Sequence, residues 1–325
     1  MFSSIADAKL KEGQTAIVRV DYNVPLDNNN KIKDPTKIKQ SFSTINYLLR
    51  HKVKVILLSH LEHRGKASTL KPIYEYLKKK HSYLLFSDKI EKVNDNKIVL
   101  LENTRFLTGE KENSPELSKQ LASMGDFFIN DAFSVSHRKH ASVVGISDFL
   151  PSFLGFSYFE EVEHLNKFFS EIKHPFVVII GGAKWETKVP LVEKLSPLAD
   201  YVLLGGIIAK QYQKSSEKNE KIIVPVDVDG LDINNETIKQ YTAILAKAKT
   251  VLWNGPVGKY EEPKYRKGSL ALLKTVAKNR SCRVVIGGGD TVAALKHSPY
   301  LRSIYYVTTA GGALLHYVAN LKFKK

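Results

Sequence analysis

Short β-branched apolar runs recur along this chain with longer amphipathic stretches between them, and that alternation restricts the fold more than any motif does. The runs are Thr15–Val20, Val53–Ser59, Lys97–Leu101, Asp126–Asn130, Phe176–Ile180, Tyr201–Leu204, Ile222–Val226, Thr250–Asn254, Arg283–Ile286 and Ser303–Val307. Helical periodicity fits Pro35–Arg50, Leu70–Lys79, Pro115–Met124, Val189–Leu195, Asn235–Ala248, Gly268–Lys278 and Thr291–His297. Strands that alternate with helices predict parallel sheets covered on both faces. About ten strands is many for one twisted open sheet, so the chain is expected to form two doubly wound α/β halves. The border falls between Pro151 and Pro175, where Val162, Leu165 and Phe169 stand at helical spacing and predict a connecting helix. Lys214–Lys221 reads as a solvated loop.

Composition narrows the class. At 325 residues and 43% hydrophobic, the chain has enough apolar material for a large core. No run approaches the roughly 20 apolar residues of a membrane helix, and the first nine residues lack the apolar centre of a signal peptide. The single cysteine, Cys282, allows no intramolecular disulfide; it is expected to pack at a strand entrance in a protein of the reducing cytoplasm. Forty-nine Lys and Arg against 33 Asp and Glu give a net charge of +16, which favours anionic partners. Phosphorylated small molecules and nucleic acid both fit that charge. The lysines are scattered, as at Lys78–Lys80, Lys167 and Lys173, and no RNA or DNA motif is present, so nucleic acid is not an expected partner.

Two loops carry the phosphate signal. Gly181-Gly182-Ala183-Lys184-Trp185-Glu186-Thr187-Lys188 and Gly287-Gly288-Gly289-Asp290-Thr291 each follow a β-branched run and precede a helical stretch. Glycine at a strand end lets backbone approach an anion, and the next helix offers free N–H groups. Lys184 and Lys188 add charge, and Asp290 supplies a hard carboxylate suited to Mg²⁺. Neither loop is a Walker A or a GxGxxG sequence.

In the first half, polar residues cluster after the runs: Arg19-Val20-Asp21-Tyr22-Asn23-Val24-Pro25, Ser59-His60-Leu61, Glu102-Asn103-Thr104-Arg105-Phe106, Asn130-Asp131-Ala132-Phe133 and Ser136-His137-Arg138-Lys139-His140-Ala141-Ser142. With the two glycine loops and Trp253-Asn254-Gly255-Pro256-Val257-Gly258, in this order, the chain resembles phosphoglycerate kinases from Thr15 to Gly312. Taken alone, Asp21 and Asn23 also read as turn residues, His137 and His140 as loop stabilisers, and Trp253 and Phe106 as core.

The resemblance implies a hinged, two-domain enzyme that moves a phosphoryl group between ATP and 3-phosphoglycerate, with ADP and 1,3-bisphosphoglycerate as the other pair. It implies a domain for the acid over residues 1–155, a hinge helix over 156–174, a nucleotide domain over 175–312, and a tail over 313–325 returning toward the first domain. Substrate contacts are expected from Asp21, Asn23, His60, Arg64, Arg105 and Arg138. Lys37, Lys188, Arg105, Gly311 and Gly312 form the expected catalytic set. Gly181, Gly182, Ala183, Lys184, Gly205, Gly206, Asn254, Pro256, Glu261, Gly287, Gly288, Gly289, Asp290 and Thr291 are expected along the nucleotide, with Glu261 at the ribose and Asp290 on Mg²⁺. A cytoplasmic monomer is the implied state.

Several positions depart from the family pattern. Lys37 stands where the family carries an arginine, Glu62-His63-Arg64 replaces Gly-Arg-Pro, Ile207 ends a glycine triplet, and Ala310 interrupts a late glycine run. Material is also missing around Tyr212–Lys221 and between Val226 and Gly230. These departures support an alternative reading, a catalytically impaired kinase-like protein that binds ligand or regulates.

Overall fold

Side-chain alternation along the first strand sets the layering of the N-terminal half. Strand β1 (Thr15–Arg19) sends Ala16 and Val18 into one buried cluster and Ile17 into another, and β2 (Lys54–Leu58) splits Val55 and Leu57 from Ile56 and Leu58 in the same way. Both faces of the sheet are therefore covered, as a parallel sheet requires. The computed structural model describes residues 3–91, 98–183, 185–215, 219–227 and 229–321. The chain divides into two compact units, Met1–Glu163 and His164–Lys325.

In the first unit, β5 (Leu84–Ser87), β6 (Ile98–Leu101), β7 (Phe127–Asn130) and β8 (Ser152–Leu154) join β1 and β2 in a parallel sheet of order β5-β6-β2-β1-β7-β8. A small antiparallel hairpin, β3 (Glu62–His63) with β4 (Lys66–Ala67), follows β2. Helices α1 (Thr36–Gln40), α2 (Phe42–Arg50), α3 (Lys71–Lys78) and α4 (Pro115–Ala122) belong to this unit, and α5 (Phe156–Ser170) spans the boundary. Helix α4 starts where Ser114 accepts from Leu117 N–H with Pro115 behind it, a favourable N-cap pairing.

The second unit repeats the principle with a different strand order. Strands β9 (Phe176–Ile180), β10 (Tyr201–Leu204), β11 (Ile222–Ile223), β12 (Thr250–Asn254), β13 (Arg283–Gly287) and β14 (Tyr306–Thr308) form a parallel sheet of order β11-β10-β9-β12-β13-β14. Between and after them lie α6 (Val189–Leu195), α7 (Gly206–Lys214), α8 (Asn235–Leu245), α9 (Lys267–Lys278), α10 (Gly289–Leu295) and α11 (Gly311–Asn320). Trp253, Tyr241, Leu272 and Leu273 fill the core between the sheet and its helices. Both units are doubly wound α/β sheets, the predicted class.

Differences from the sequence reading fall at edges and joints. Strands β5 and β8 carry little apolar alternation because they are sheet edges: Leu84 is buried while its neighbour Leu85 is 44% exposed. The single helix expected over Pro35–Arg50 breaks at Ser41, whose hydroxyl turns back to Ile38 O at 2.8 Å. Only Ile222 and Ile223 of the run Ile222–Val226 pair in the sheet. Residues 206–214 form α7, and the described part of the stretch after Gly312 continues α11, which packs against α6. Lys97, residues 216–218 of the expected loop and residues 322–325 of the expected tail lie outside the described residues.

Candidate active site

In both sheets the connection reverses direction beside the strand that opens the unit, at β1/β7 and at β9/β12, and the carboxyl ends there are where open α/β sheets bind ligands. After β1, Asp21 Oδ1 accepts from Asn23 N–H at 3.0 Å, while Oδ2 receives Lys37 Nζ at 2.7 Å and a very short bond from the Ser134 hydroxyl after β7. Lys37 reaches inward because α1 buries Ile38 and leaves its neighbour at the rim. Burial raises the Asp21 carboxyl, but Lys37, His60 and the Ser134 hydroxyl together outweigh it and hold Asp21 well below the carboxylate range. Asn23 turns its Oδ1 to Glu62 N–H at 3.0 Å and so fixes the start of the hairpin.

The basic side chains gather behind this carboxylate. Arg19 and His60 are each 1% exposed, with Arg19 Nη2 3.1 Å from His60 Nδ1. Burial, reinforced by Arg19, pushes His60 down to about 2, so the ring is neutral at pH 7. Arg105 is presented by a 3₁₀ turn, Thr104–Phe106, that Asn103 builds: its Oδ1 accepts from Arg105 N–H at 3.0 Å and its Nδ2 donates to Leu61 O and Ser68 O. Glu102 and Asn103 of that motif thus serve the loop, and Arg105 is what the loop displays. Burial and then Arg138 lower the Arg105 guanidinium, whose buried Nε has no hydrogen-bond partner among the described residues and lies 3.8 Å from Glu62 Oε1. His140 is pushed down to about 4 by burial and by Arg105. Arg19 and Arg105, both stripped of water by burial, with the half-buried Arg138 beside them, make a cationic group that an anion would complete.

Arg64 is placed apart from this group. It occupies the hairpin tip with φ 53°, followed by Gly65 at φ 76°, the pair of positive angles of a type I′ turn. Its guanidinium is exposed and donates to Asn28 Oδ1 at 2.9 Å. Phe106, expected in the core, is 53% exposed because the 3₁₀ turn faces its side chain outward, whereas Trp253 is fully buried.

In the second unit the glycines have two separate duties. A Cβ on Gly181 would stand 2.1 Å from Pro256 O and one on Gly255 2.0 Å from Gly181 O, so these two hold β9 and β12 in backbone contact. Gly288 and Gly311 bring the starts of α10 and α11 together, with a Gly311 Cβ 3.0 Å from Gly288 Cα. Thr291 Oγ1 donates to Gly287 O and accepts from Gly255 N–H, both at 2.8 Å, which ties the two loops. Lys188 donates through a very short bond to Oδ1 of the buried Asn254, whose Nδ2 has no partner among the described residues. Burial pushes the Lys188 ammonium down to about 8, with Asp290 pulling it the other way.

A cleft of about 300 Å³ lies beside these loops, lined among others by Gly182, Ala183, Gly206, Ile207, Leu231, Pro256, Tyr260, Glu261 and Asp290. The Ile207 side chain, 55% exposed, forms part of its wall at the start of α7. An apolar slot edged by Glu261 and Asp290 suits a heterocycle bearing polar appendages. Gly205 is buried against Val257 and supports the α7 start from behind. Gly289, Gly311 and Gly312 open α10 and α11. Lys184 lies outside the described residues.

The phosphoglycerate kinase family model matches residues 5–222 and 209–320. This chain belongs to the phosphoglycerate kinase family. A phosphoglycerate kinase of Mycoplasmoides gallisepticum is 33% identical, covering 97% of this chain and 95% of its own length, and one of Pseudothermotoga lettingae is 36% identical over 94% and 93%. The solved phosphoglycerate kinase of Coxiella burnetii superposes with a TM-score of 0.82 at 30% identity, over 99% of this chain and 97% of that one. The Mycoplasmoides alignment spans 395 positions for a chain of 325 residues, so this family member lacks segments that its relative carries. Its function is that of a phosphoglycerate kinase, and the alternative of a mere binding protein finds no support in these relationships.

Glu110 and Ser134, outside the quoted motifs, and Arg19 and Ser142, inside them but given no role there, join this cluster through hydrogen bonds. Arg19 carried one signal: a charge in the last position of an otherwise apolar strand. Glu110 carried none and Ser142 only its place at the end of a basic motif, since the fold alone brings them to Arg19.

Proposed function

We propose that this phosphoglycerate kinase uses ATP and ADP as its nucleotide pair and transfers the phosphoryl group to and from the carboxylate of 3-phosphoglycerate. A carboxylate oxygen of the acid attacks the γ-phosphorus, the bond to the β–γ bridging oxygen breaks, and ADP leaves; no proton changes hands. Such a transfer asks for positioning and for neutralisation of the equatorial oxygens. Asp21 and Asn23 hold the hydroxyl end of the acid, and His60, Arg105 and Arg138 take its phosphate and carboxylate oxygens. Lys188 meets the transferring phosphoryl, and Lys37 stands in for the family's arginine, with its charge but without the planar fork. Arg64, hydrogen-bonded to Asn28, has the weakest claim among the substrate contacts.

The nucleotide is assigned to the cleft and glycine loops of the second unit, with its base between Ile207, Leu231 and Pro256, its ribose toward Glu261 and its phosphates along Gly287–Thr291, Gly311 and Gly312. Mg²⁺ is not held by a protein cage, for no group of three or more His, Cys, Asp or Glu is clustered among the described residues. Asp290 nevertheless fits it: an exposed carboxylate at the start of α10 beside the phosphate loop is the single protein ligand that a nucleotide-bound Mg²⁺ commonly takes. When bound, the ion would neutralise phosphate charge. Hinge closure belongs to the same reading, because the acid and nucleotide loops lie in different units. So do a monomeric state and a cytoplasmic location.

The observation that carries this reading is Lys188, a largely buried cation tethered to Asn254 between the two glycine loops, with no ion-pair partner among the described residues. The test is a coupled assay of ATP- and Mg²⁺-dependent phosphorylation of 3-phosphoglycerate, with Lys188→Ala beside the wild type. Turnover lost in the variant while calorimetry still detects acid binding supports the assignment. Equal turnover in the two proteins removes Lys188 from the mechanism.

A further inference from the structure

Four polar side chains form a continuous hydrogen-bonded line beneath the acid site, and all four are excluded from solvent: Glu110, Arg19 and His60 are 1% exposed and Ser142 is fully buried. Ser142 Oγ donates to Glu110 Oε1 at 2.6 Å, and Ser142 N–H donates to Glu110 Oε2 at 2.9 Å. Arg19 Nε donates to the same Ser142 oxygen at 3.1 Å. Arg19 Nη2 then stands 3.1 Å from His60 Nδ1. The direction of every bond is set. Serine has one proton, and the carboxylate takes it, so Ser142 meets Arg19 as an acceptor. Arginine has donors only, so His60 Nδ1 accepts and the ring proton sits on Nε2. That Nε2 is buried and has no partner among the described residues. A buried donor left open is a place a ligand completes.

We infer that Glu110, Ser142 and Arg19 act as positioning residues that lock His60 in its Nε2–H tautomer and offer that N–H, uncharged, to an oxygen of the acid substrate. The substrate part of this inference rests on the assignment of the acid to the first unit; the tautomer part does not.

The alternatives are weaker on the same geometry. If the line existed only to neutralise a buried arginine, a direct carboxylate fork on the guanidinium would do it, yet Ser142 separates Arg19 from Glu110 and Nη2 is spent on an imidazole. The charged groups that act on His60 are Arg19, Asp21, Arg105 and Arg138. Three cations facing the ring disfavour imidazolium, and Asp21 is already engaged by Lys37 and Ser134. A neutral donor is the form of histidine that such a cationic site tolerates, and it adds direction that the arginines, as broad forks, lack.

The test uses the full-length protein with ¹⁵N-labelled histidine. Two-bond ¹H–¹⁵N correlation spectra separate the ring tautomers of the ten histidines, and His60→Gln assigns the signal. In the wild type, His60 is expected to show protonated Nε2 and bare Nδ1, unchanged from pH 8 to pH 5. Ser142→Ala is expected to mix the tautomers and to raise the KM for 3-phosphoglycerate about tenfold with a smaller change in kcat, and Ser142→Thr, which keeps the hydroxyl, to restore both. A wild-type His60 protonated on Nδ1, or one that titrates near pH 6.5, overturns the inference. So does a folded Ser142→Ala protein with the wild-type tautomer and KM. Should that variant not fold, the wild-type spectrum decides alone. Because the spectra need no turnover, the expected tautomer in an enzyme inactive toward 3-phosphoglycerate would sink the substrate assignment and leave the relay standing.

Discussion

Lys37 Nζ lies 2.7 Å from Asp21 Oδ2 in a pair only 22% and 11% exposed, so the cation proposed to stand in for an arginine is already held by a residue proposed to meet the acid. Removing one partner of a partly buried pair leaves the other charge short of both water and counter-charge. Lys37→Ala is therefore expected to lower kcat/KM by about tenfold or more, the equivalent of one lost transition-state hydrogen bond of about 1.4 kcal/mol. Lys37→Arg should keep most of the turnover. Steady-state kinetics with both variants decide it, and a Lys37→Ala enzyme as fast as the wild type would take Lys37 out of the catalytic set.

Lys188, pushed down to about 8 by its burial, is a cation at pH 7 that loses its proton within an accessible range. Its charged form is the one that serves phosphoryl transfer. The profile of kcat/KM for the nucleotide should fall as pH rises through about 8, and Lys188→Arg should abolish that fall, since a guanidinium stays protonated. An unchanged profile in Lys188→Arg would assign the fall to another group.

Asp131 is the first side chain after β7 and accepts from Ser157 N–H at 2.9 Å and Tyr158 N–H at 3.2 Å, the opening turn of α5. Burial raises its carboxyl to about 7 from the usual 3.8. Between those two values the folded protein keeps a proton that the unfolded chain has lost, so stability falls as pH rises across that window, by no more than about 1.4 kcal/mol per pH unit. Asp131→Asn removes the effect. Urea unfolding at pH 4.5 and pH 7 should show the variant gaining on the wild type at the higher pH; a constant difference would mean that Asp131 is ionised in the fold.

Gly255 sits at φ 101° with Gly181 O where its Cβ would be, so Gly255→Ala combines a strained backbone with a clash against main chain. The expected loss is more than about 2 kcal/mol, read from thermal or urea unfolding. Gly289→Ala, whose nearest neighbour would be 4.0 Å away, is the contrast and should leave stability nearly unchanged.

How much of this was legible beforehand depends on whether a signal is local. Strands β9 and β12 and helix α6 stand where the periodicity put them, because a central parallel strand is apolar on both faces and a helix repeats its apolar face every turn. Edge strands β5 and β8 escaped, as did α7, whose start at Gly205-Gly206 reads as a loop and whose charged C-terminal end reads as solvent-exposed chain. Arg105 and Lys188 were visible as cations in ordered motifs, and their surroundings were not.

The order of those motifs determined, without any coordinates, the fold class, the family and the presence of cationic and glycine-rich loops at strand ends, since each depends on residues adjacent in the chain. Tertiary structure alone decided which side chains meet: that Asp21 is shared by Lys37 and Ser134, that Arg64 turns to Asn28, and that Glu110 and Ser142, 32 positions apart, line up behind Arg19 and His60. Hydrogen bonds act over about 3 Å. Sequence records distance along the backbone, and only the packing of both sheet faces converts it into distance through space.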